Sequence, residues 1–144
     1  IGTLRSMSSA IEARDPYTRG HSERVARLGY MLAKQMELPH ERCREIYIAG
    51  VLHDIGKIGI PDQVLLKPSR LEPEEIAIIQ KHPEIGHHIL SDMKRLEFAL
   101  PGVLYHHERW DGKGYPHQLA GTDVPTMPRI LAVADSFDAM TSSR

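Results

Sequence analysis

An adjacent histidine and aspartate, His53-Asp54, follow the apolar residues Val51 and Leu52 at the predicted end of a helix. A neutral imidazole beside a carboxylate suits Fe, Mn, Zn or Ni far better than Ca or a purely oxygen-liganded Mg. Such pairs also arise by chance, so the dipeptide alone is weak evidence. It predicts a metal site only if the fold brings further ligand-type side chains to it.

Length and charge limit the class of protein. The 144 residues fit one domain, 1–144, with a core of its own. A net charge of -1 without a Lys/Arg-rich run gives no reason to expect a nucleic-acid polymer as partner. The single cysteine, Cys43, excludes an internal disulfide and fits a reducing compartment, with the side chain in the core.

No apolar run approaches the roughly 18 residues of a membrane span. We therefore expect a cytoplasmic domain without membrane contact of its own. The chain starts at Ile1 and stops at Arg144 without a turn or tail. We interpret it as a fragment of a larger signalling protein, whose other parts could include a membrane anchor.

Apolar side chains recur at helical spacing through most of the chain, and glycines and prolines separate these runs. The predicted helices cover about 4–11, 21–36, 41–54, 72–79, 84–90, 96–106 and 129–140. The stretch from about 108 to 128 has neither a helical nor a strand period, and a loop of that length has a function or is disordered. No strand pattern is present, so the predicted class is all-α.

Ligand-type side chains occur in five places, each at or near the end of a predicted helix. A helical bundle can bring such positions together at one end. Taken singly, each of the nine histidines is better explained as a surface or core residue, but the set with its two adjacent pairs favours a metal site. Seven ligands exceed one tetrahedral zinc and suit two octahedral ions that share a carboxylate. They are His21, His53, Asp54, His82, His106, His107 and Asp135.

Four segments carry a family resemblance: 53–61, 82–86, 106–116 and 134–141. In this order they are similar to the HD-GYP domain, a branch of the HD phosphohydrolase superfamily. The resemblance extends from about Asp15 to Arg144, and the triplet Gly114-Tyr115-Pro116 distinguishes this branch from other HD hydrolases. It implies an HD-type helical bundle with the metal site at helix ends, truncated at the C-terminus relative to the family.

The activity implied by this resemblance is hydrolysis of cyclic di-GMP to linear pGpG, in some members on to GMP, through a hydroxide activated by two metals. The ions would be Fe or Mn, with Zn, Ni or Mg as alternatives, and Asp54 would bridge them. Lys57 and Arg144 would bind the substrate and Tyr115 would lie beside it. Asp138 would support a ligand or transfer a proton, or else form a cap or a salt bridge.

Several alternatives stay open. The enzyme could act on another nucleotide, or the domain could be a non-catalytic interaction module. Tyr17 stands where some family members have a glutamate that binds a third metal, so we expect two ions. The loop around Tyr115 is a scaffold or also a docking surface for a GGDEF-type cyclase, and a homodimer is allowed. We further expect Glu108, Arg109 and Asp111 to form a network that orients the double histidine.

Overall fold

The computed structural model describes residues 2–142, and Arg144 lies outside them. Within that range the all-α prediction is confirmed, since an isolated bridge between Asp111 and Ala120 is the only β-type pairing. The α-helices are α1 (Gly2–Glu12), α2 (His21–Gln35), α3 (His40–Leu52), α4 (Asp62–Leu65), α5 (Pro73–Ile79), α6 (His82–Ser91), α7 (Leu100–Tyr105) and α8 (Thr126–Thr141). Short 3₁₀ helices span Pro16–Thr18, Ile55–Gly59, Lys94–Ala99 and Gly121–Asp123.

Local signals explain where the helices begin. Glu72 and Glu75 form a reciprocal capping box at the start of α5, and Pro73 occupies the first turn, where its missing N–H costs nothing. The proline after His82 likewise lies in the first turn of α6. This start separates α6 from α5 and places His82 at a helix N-terminus.

Some predicted boundaries were wrong. The helix expected over 41–54 ends at Leu52, and Asp54 precedes the 3₁₀ helix Ile55–Gly59. The helix expected over 96–106 is split into a 3₁₀ helix and α7, because Pro101 fits only a first helical turn. The helix expected over 21–36 ends at Gln35, and Met36 is its C-cap residue and is 49% exposed.

The core has two parts that meet at α3. One cluster joins α2, α3 and α8 through Val25, Ile46 and Leu131, and Cys43 is buried in it. The second joins α1, α3, α6 and α7 through Ile11, Leu52 and Leu90. Because α3 belongs to both clusters, its C-terminal end, which carries the His-Asp pair, lies between them.

The 3₁₀ helix Ile55–Gly59 lies against the first turn of α6 with almost no space between the backbones. A Cβ atom on Gly56 would lie 1.8 Å from the carbonyl oxygen of His82 and 2.6 Å from the amide nitrogen of Gly86. Only glycine permits this approach, which brings Asp54 and His82 together.

Between residues 2 and 142 no helix is long and apolar enough to cross a membrane.

Candidate metal centre

The carboxylate of Asp54 lies at the centre of the predicted ligands. Its Oδ1 is 3.3 Å from Nε2 of His82 and 3.7 Å from Nε2 of His106. Its Oδ2 is 3.3 Å from Nε2 of His53 and 3.8 Å from Nε2 of His21. The two oxygens therefore face different sets of imidazoles, one on each side of the carboxylate.

Two groups of side chains in the described range have ligand atoms within 4.8 Å of one another. One consists of Asp54, His82, His106 and His107, and the other of His21, His53 and Asp54. Asp54 belongs to both groups. A carboxylate with one oxygen toward each group has the geometry needed to link two ions.

Asp135 reaches the same place from α8. Its Oδ1 lies 2.9 Å from Nε2 of His21, at the edge of the second ligand group. Burial would raise the pKa of Asp135, but the hydrogen bond with His21 and the nearby His53 hold the pKa below its usual range. The carboxylate is therefore ionised and available as a further ligand.

The far side of each ring indicates which nitrogen faces Asp54. Nδ1 of His53 lies 2.6 Å from the carbonyl oxygen of Gly50, and Nδ1 of His82 lies 2.8 Å from that of Ile79. Nδ1 of His106 lies 2.9 Å from the carbonyl oxygen of Val103. A carbonyl can only accept, so each Nδ1 carries a proton, and in the neutral rings Nε2 presents a lone pair to the centre.

These Nε2 atoms fit a bound cation. Nε2 of His53 is buried and makes no hydrogen bond with any described residue. Nε2 of His82 and Nε2 of His106 are 3.3 Å apart. Two lone pairs at that distance repel each other unless a proton or a cation lies between them, so the donor set matches a transition-metal site.

Burial and neighbouring charges determine which of these side chains are ionised. Burial disfavours the charge on Asp54, but His53 and Lys57 keep the pKa of its carboxyl well below the usual range. Burial would lower the pKa of His53, but Asp54 and Asp135 outweigh it and raise the pKa to about 9. Burial lowers the pKa of His107 to about 2, so that ring is neutral.

Lys57 extends from the 3₁₀ helix toward the same carboxylate. Its Nζ is 3.2 Å from Oδ2 of Asp54, and this ion pair raises the pKa of the ammonium group. The helical repeat places residues three apart on one side of the turn, and here Lys57 lies at the wall of the cleft that contains the ligands. That cleft has a volume of about 700 Å³, within the usual range for small-molecule sites.

The segment after the double histidine folds back over it. The ring of Tyr115 stacks on His107 with centroids 4.8 Å apart and planes 15° from parallel, and the Tyr115-Pro116 peptide is cis. A Cβ on Gly114 would lie 2.3 Å from the carbonyl oxygen of His107, so glycine is required there. This loop forms one wall of the cleft through Lys113, Gly114 and Tyr115.

The expected network around Glu108 is different in the structure. The buried Glu108 carboxylate accepts hydrogen bonds from the amides of His117 and Leu119, at 2.6 and 2.8 Å. Arg109 and Asp111 pair with each other at the surface. The prediction that these three residues orient the double histidine was wrong, because backbone carbonyls already hold the His106 ring and Glu108 satisfies amides of the loop.

Asp138 lies one turn after Asp135 and is almost fully buried. Its Oδ2 is 2.6 Å from Nδ1 of His21, and Nε of Arg24 donates to its Oδ1 at 2.7 Å. Burial would raise the pKa of Asp138, but Arg24 and His21 lower it. Asp138 thus contacts a predicted ligand and lies outside the lining of the cleft, which places it as a support for His21.

Other histidines lie apart from this cluster. His87 and His88 on α6, His40 at the start of α3 and His117 in the loop belong to neither ligand group among the described residues.

The sequence analysis did not identify Arg24, although its position three residues after His21 on α2 is a signal that could have been used. It also missed Glu12 and Arg14, whose partners are mainly backbone groups distant in sequence.

Comparison with known proteins identifies the family. A family model described as HD domain matches residues 5–144, so the chain belongs to the HD domain family. The resemblance to the HD-GYP type is confirmed by the relatives that match nearly the whole chain.

Three relatives illustrate this. The cyclic di-GMP phosphodiesterase response regulator RpfG of Xanthomonas campestris is 45% identical over 99% of this chain, and a cyclic di-GMP phosphodiesterase of Thermotoga maritima is 47% identical over 98%. The 3'3'-cGAMP-specific phosphodiesterase 2 of Vibrio cholerae is 43% identical over 96%. The chain spans 38%, 39% and 27% of the lengths of these proteins.

A solved structure shows the same fold. The cyclic GMP-AMP specific phosphodiesterase V-cGAP3 of V. cholerae aligns with a TM-score of 0.73 and 20% identity, covering 96% of this chain and 40% of that one. The expected HD-type helical bundle is therefore confirmed.

Proposed function

We propose that this domain is a metal-dependent phosphodiesterase that hydrolyses cyclic di-GMP to pGpG. The observation that carries the proposal is the position of Asp54, which belongs to two ligand groups and directs one oxygen toward each. The names of two relatives at 45% and 47% identity support cyclic di-GMP as the substrate.

The residues would hold two divalent ions, Fe or Mn, with Asp54 shared. His82, His106 and His107 would bind one ion, and His21, His53 and Asp135 the other. When bound, such a pair of ions lowers the pKa of a water molecule to near neutrality and neutralises the negative charge on phosphoryl oxygens. The neutral ring of His107 and the ionised carboxylates of Asp54 and Asp135 suit this charge.

The chain's own groups would then orient the substrate. Lys57 lies at the cleft wall with its ammonium group beside Asp54, where it can donate to a non-bridging phosphate oxygen. Tyr115 would limit the position of the ligand through its stack on His107. Asp138 would hold His21 with Nε2 toward the ion. Addition of water and cleavage of one P–O3' bond yields a 5'-phosphate and a 3'-hydroxyl.

The test uses anaerobically purified protein, with metal content and cyclic di-GMP turnover measured on the same sample. Asp54→Ala should lose most of the bound metal and abolish turnover, because both ligand groups lose a shared member. Asp92→Asn is the matched control, since that exposed residue lies at the C-terminal end of α6. Full activity in Asp54→Ala would refute the site. Wild-type protein with metal and no turnover of any cyclic dinucleotide would favour the interaction-module alternative.

A second substrate has specific support. The V. cholerae relative named as 3'3'-cGAMP-specific is 43% identical to this chain, close to the values of the cyclic di-GMP enzymes. The ratio of kcat/KM for cyclic di-GMP and 3'3'-cGAMP, measured in direct competition, decides between the two. Docking of a GGDEF-type cyclase at the loop around Tyr115 and formation of a homodimer stay predictions, which pull-down and light scattering can test.

A further inference from the structure

The C-terminal end of α1 contacts two of the turns that carry predicted ligands, those of His21 and Asp54, although α1 contributes no predicted ligand. Glu12 is the last residue of α1, and Arg14 follows it by two positions. Their side chains point to different elements. Glu12 bonds the start of α2, where His21 lies, and Arg14 bonds the 3₁₀ helix Ile55–Gly59, which follows Asp54.

Glu12 caps α2 in place of a local side chain. The N-cap of α2 is Gly20, with φ 76° and no side chain to accept from the first amides. The Glu12 carboxylate accepts from the amide of Gly20 at 2.9 Å and from that of Ser22 at 2.8 Å. These amides flank His21, so the bonds fix the backbone of a predicted ligand and satisfy donors that a helix start leaves free.

Arg14 bonds the turn that follows Asp54. Its guanidinium donates to the carbonyl oxygens of Lys57 and Ile58 at 3.2 and 3.3 Å, and to that of Ile60 at 2.8 Å. The same group pairs with Asp62 at 2.6 Å. A planar guanidinium presents five N–H donors in a fixed geometry, whereas a lysine has three on one nitrogen and cannot span the same set of acceptors. The 3₁₀ helix is thereby held at its C-terminal end while Asp54 stands at its N-terminal end.

Core packing also holds the end of α1 against the turn that follows Asp54. Ile11, immediately before Glu12, is 8% exposed and belongs to the same core cluster as Leu52 and Ile55. The side chains of Glu12, Asp54 and Lys57 also line one small cavity between α1 and the site. A shift of the end of α1 would therefore move both turns, whereas loss of one side-chain contact releases only the turn that this side chain holds.

We propose that Glu12 and Arg14 are positioning residues, and that the end of α1 aligns the turn of His21 with the turn of the shared Asp54. The inference rests on the proposed metal-dependent function. Because Glu12 holds only the His21 turn, Glu12→Gln should weaken the ion bound by the His21 group and spare the other. Because Arg14 holds the turn of the shared Asp54, Arg14→Gln should weaken both ions.

The experiment is a two-site Mn²⁺ titration of the whole domain, with thermal unfolding of the same variants. We expect about a tenfold loss of affinity at the affected sites, as for other residues that orient metal ligands. Arg14→Lys should recover only part of the loss. The matched controls are Arg42→Gln and Glu45→Gln, which break an ion pair of 3.3 Å at the surface of α3 and should leave both affinities unchanged.

Each outcome separates this inference from the proposed function. Variants that melt earlier but bind both ions like the controls would overturn it, since the residues would then be structural only. Loss of one ion in Glu12→Gln and of both in Arg14→Gln would support it. A wild-type domain that binds both ions without hydrolysing a cyclic dinucleotide would contradict the proposed function and leave the positioning role intact.

Discussion

The imidazoles around Asp54 are oriented by acceptors on their far sides. For His53, His82 and His106 the acceptor is a backbone carbonyl three residues earlier, so the local backbone supplies the orientation. His21, the first residue of α2, is different because its Nδ1 bonds a side chain from another helix. Its partner is the carboxylate of Asp138, which adds negative charge as well as direction.

Asp138→Asn tests this difference at the residue scale. The substitution keeps the size of the side chain but removes the charge that pairs with Arg24 and stabilises the donating His21. We expect a loss of about 10- to 100-fold in metal affinity, within the range for supports of metal-binding histidines. Mn²⁺ titration measures it. Ser142→Ala removes only a 3.2 Å bond to Asp138 and should change little; equal effects of both substitutions would contradict the assigned role.

At the scale of elements, the centre depends on one contact between backbones. The 3₁₀ helix that follows Asp54 and the start of α6 approach each other at Gly56 without space for a side chain. No rotamer change can relieve a clash with a carbonyl oxygen, so any larger residue must separate the two elements. Asp54 and His82 would then move apart.

Gly56→Ala should therefore lower both stability and metal affinity. The loss of stability should be about 3 kcal/mol or more, at the upper end of overpacking effects, since backbone atoms must move. Thermal unfolding and Mn²⁺ titration measure the two effects. Gly2→Ala is the control, because a Cβ there meets nothing within 4 Å. Retained metal affinity in Gly56→Ala would show that the site tolerates this separation.

The sequence predicted what is local in this fold. Apolar periodicity and prolines located the helices, and six of the seven ligand candidates lie at or near helix ends as expected, whereas Asp135 lies inside α8. It did not predict Glu12 or Arg14, because a charged side chain that bonds backbone groups has no partner visible in the sequence. Arg14 reaches carbonyls 43 to 46 positions away. Glu108 was misassigned for the same reason, since its partners are two amides of the loop.

At the scale of the whole molecule, a bound pair of ions would connect the two parts of the core. The predicted ligands come from α2, the end of α3, α6, the end of α7 and α8, which span both core clusters. Each ion that binds the folded state alone stabilises it by about 2.7 kcal/mol when free metal is 100 times its Kd. In a domain of this size that raises Tm by roughly 8 °C for each ion.

This stabilisation should depend on pH through His53. The groups that face its ring are the carboxylates of Asp54 and Asp135, which raise its pKa to about 9, and the rings of His21 and His106. A protonated ring cannot bind metal, so protons compete with the ion below pH 9, and affinity should rise by up to about tenfold per pH unit for each proton released. Without metal, the contribution of His53 to stability changes with pH in the opposite direction. Because the pKa of His53 is higher in the folded chain than in the unfolded chain, its ring stabilises the fold below about pH 6.5. This stabilisation is lost as the pH rises through 9.

The gain in Tm on adding metal should therefore grow between pH 6.5 and 9 and level off above it. Scanning calorimetry with and without Mn²⁺ at each pH measures this gain, and calorimetric titration in buffers of different ionisation enthalpy counts the protons released. His40→Gln changes an exposed histidine at the start of α3 and should leave the dependence unaltered. A gain that stays constant across this range would mean that His53 is already neutral in the folded chain, and that its carboxylate neighbours do not control metal binding.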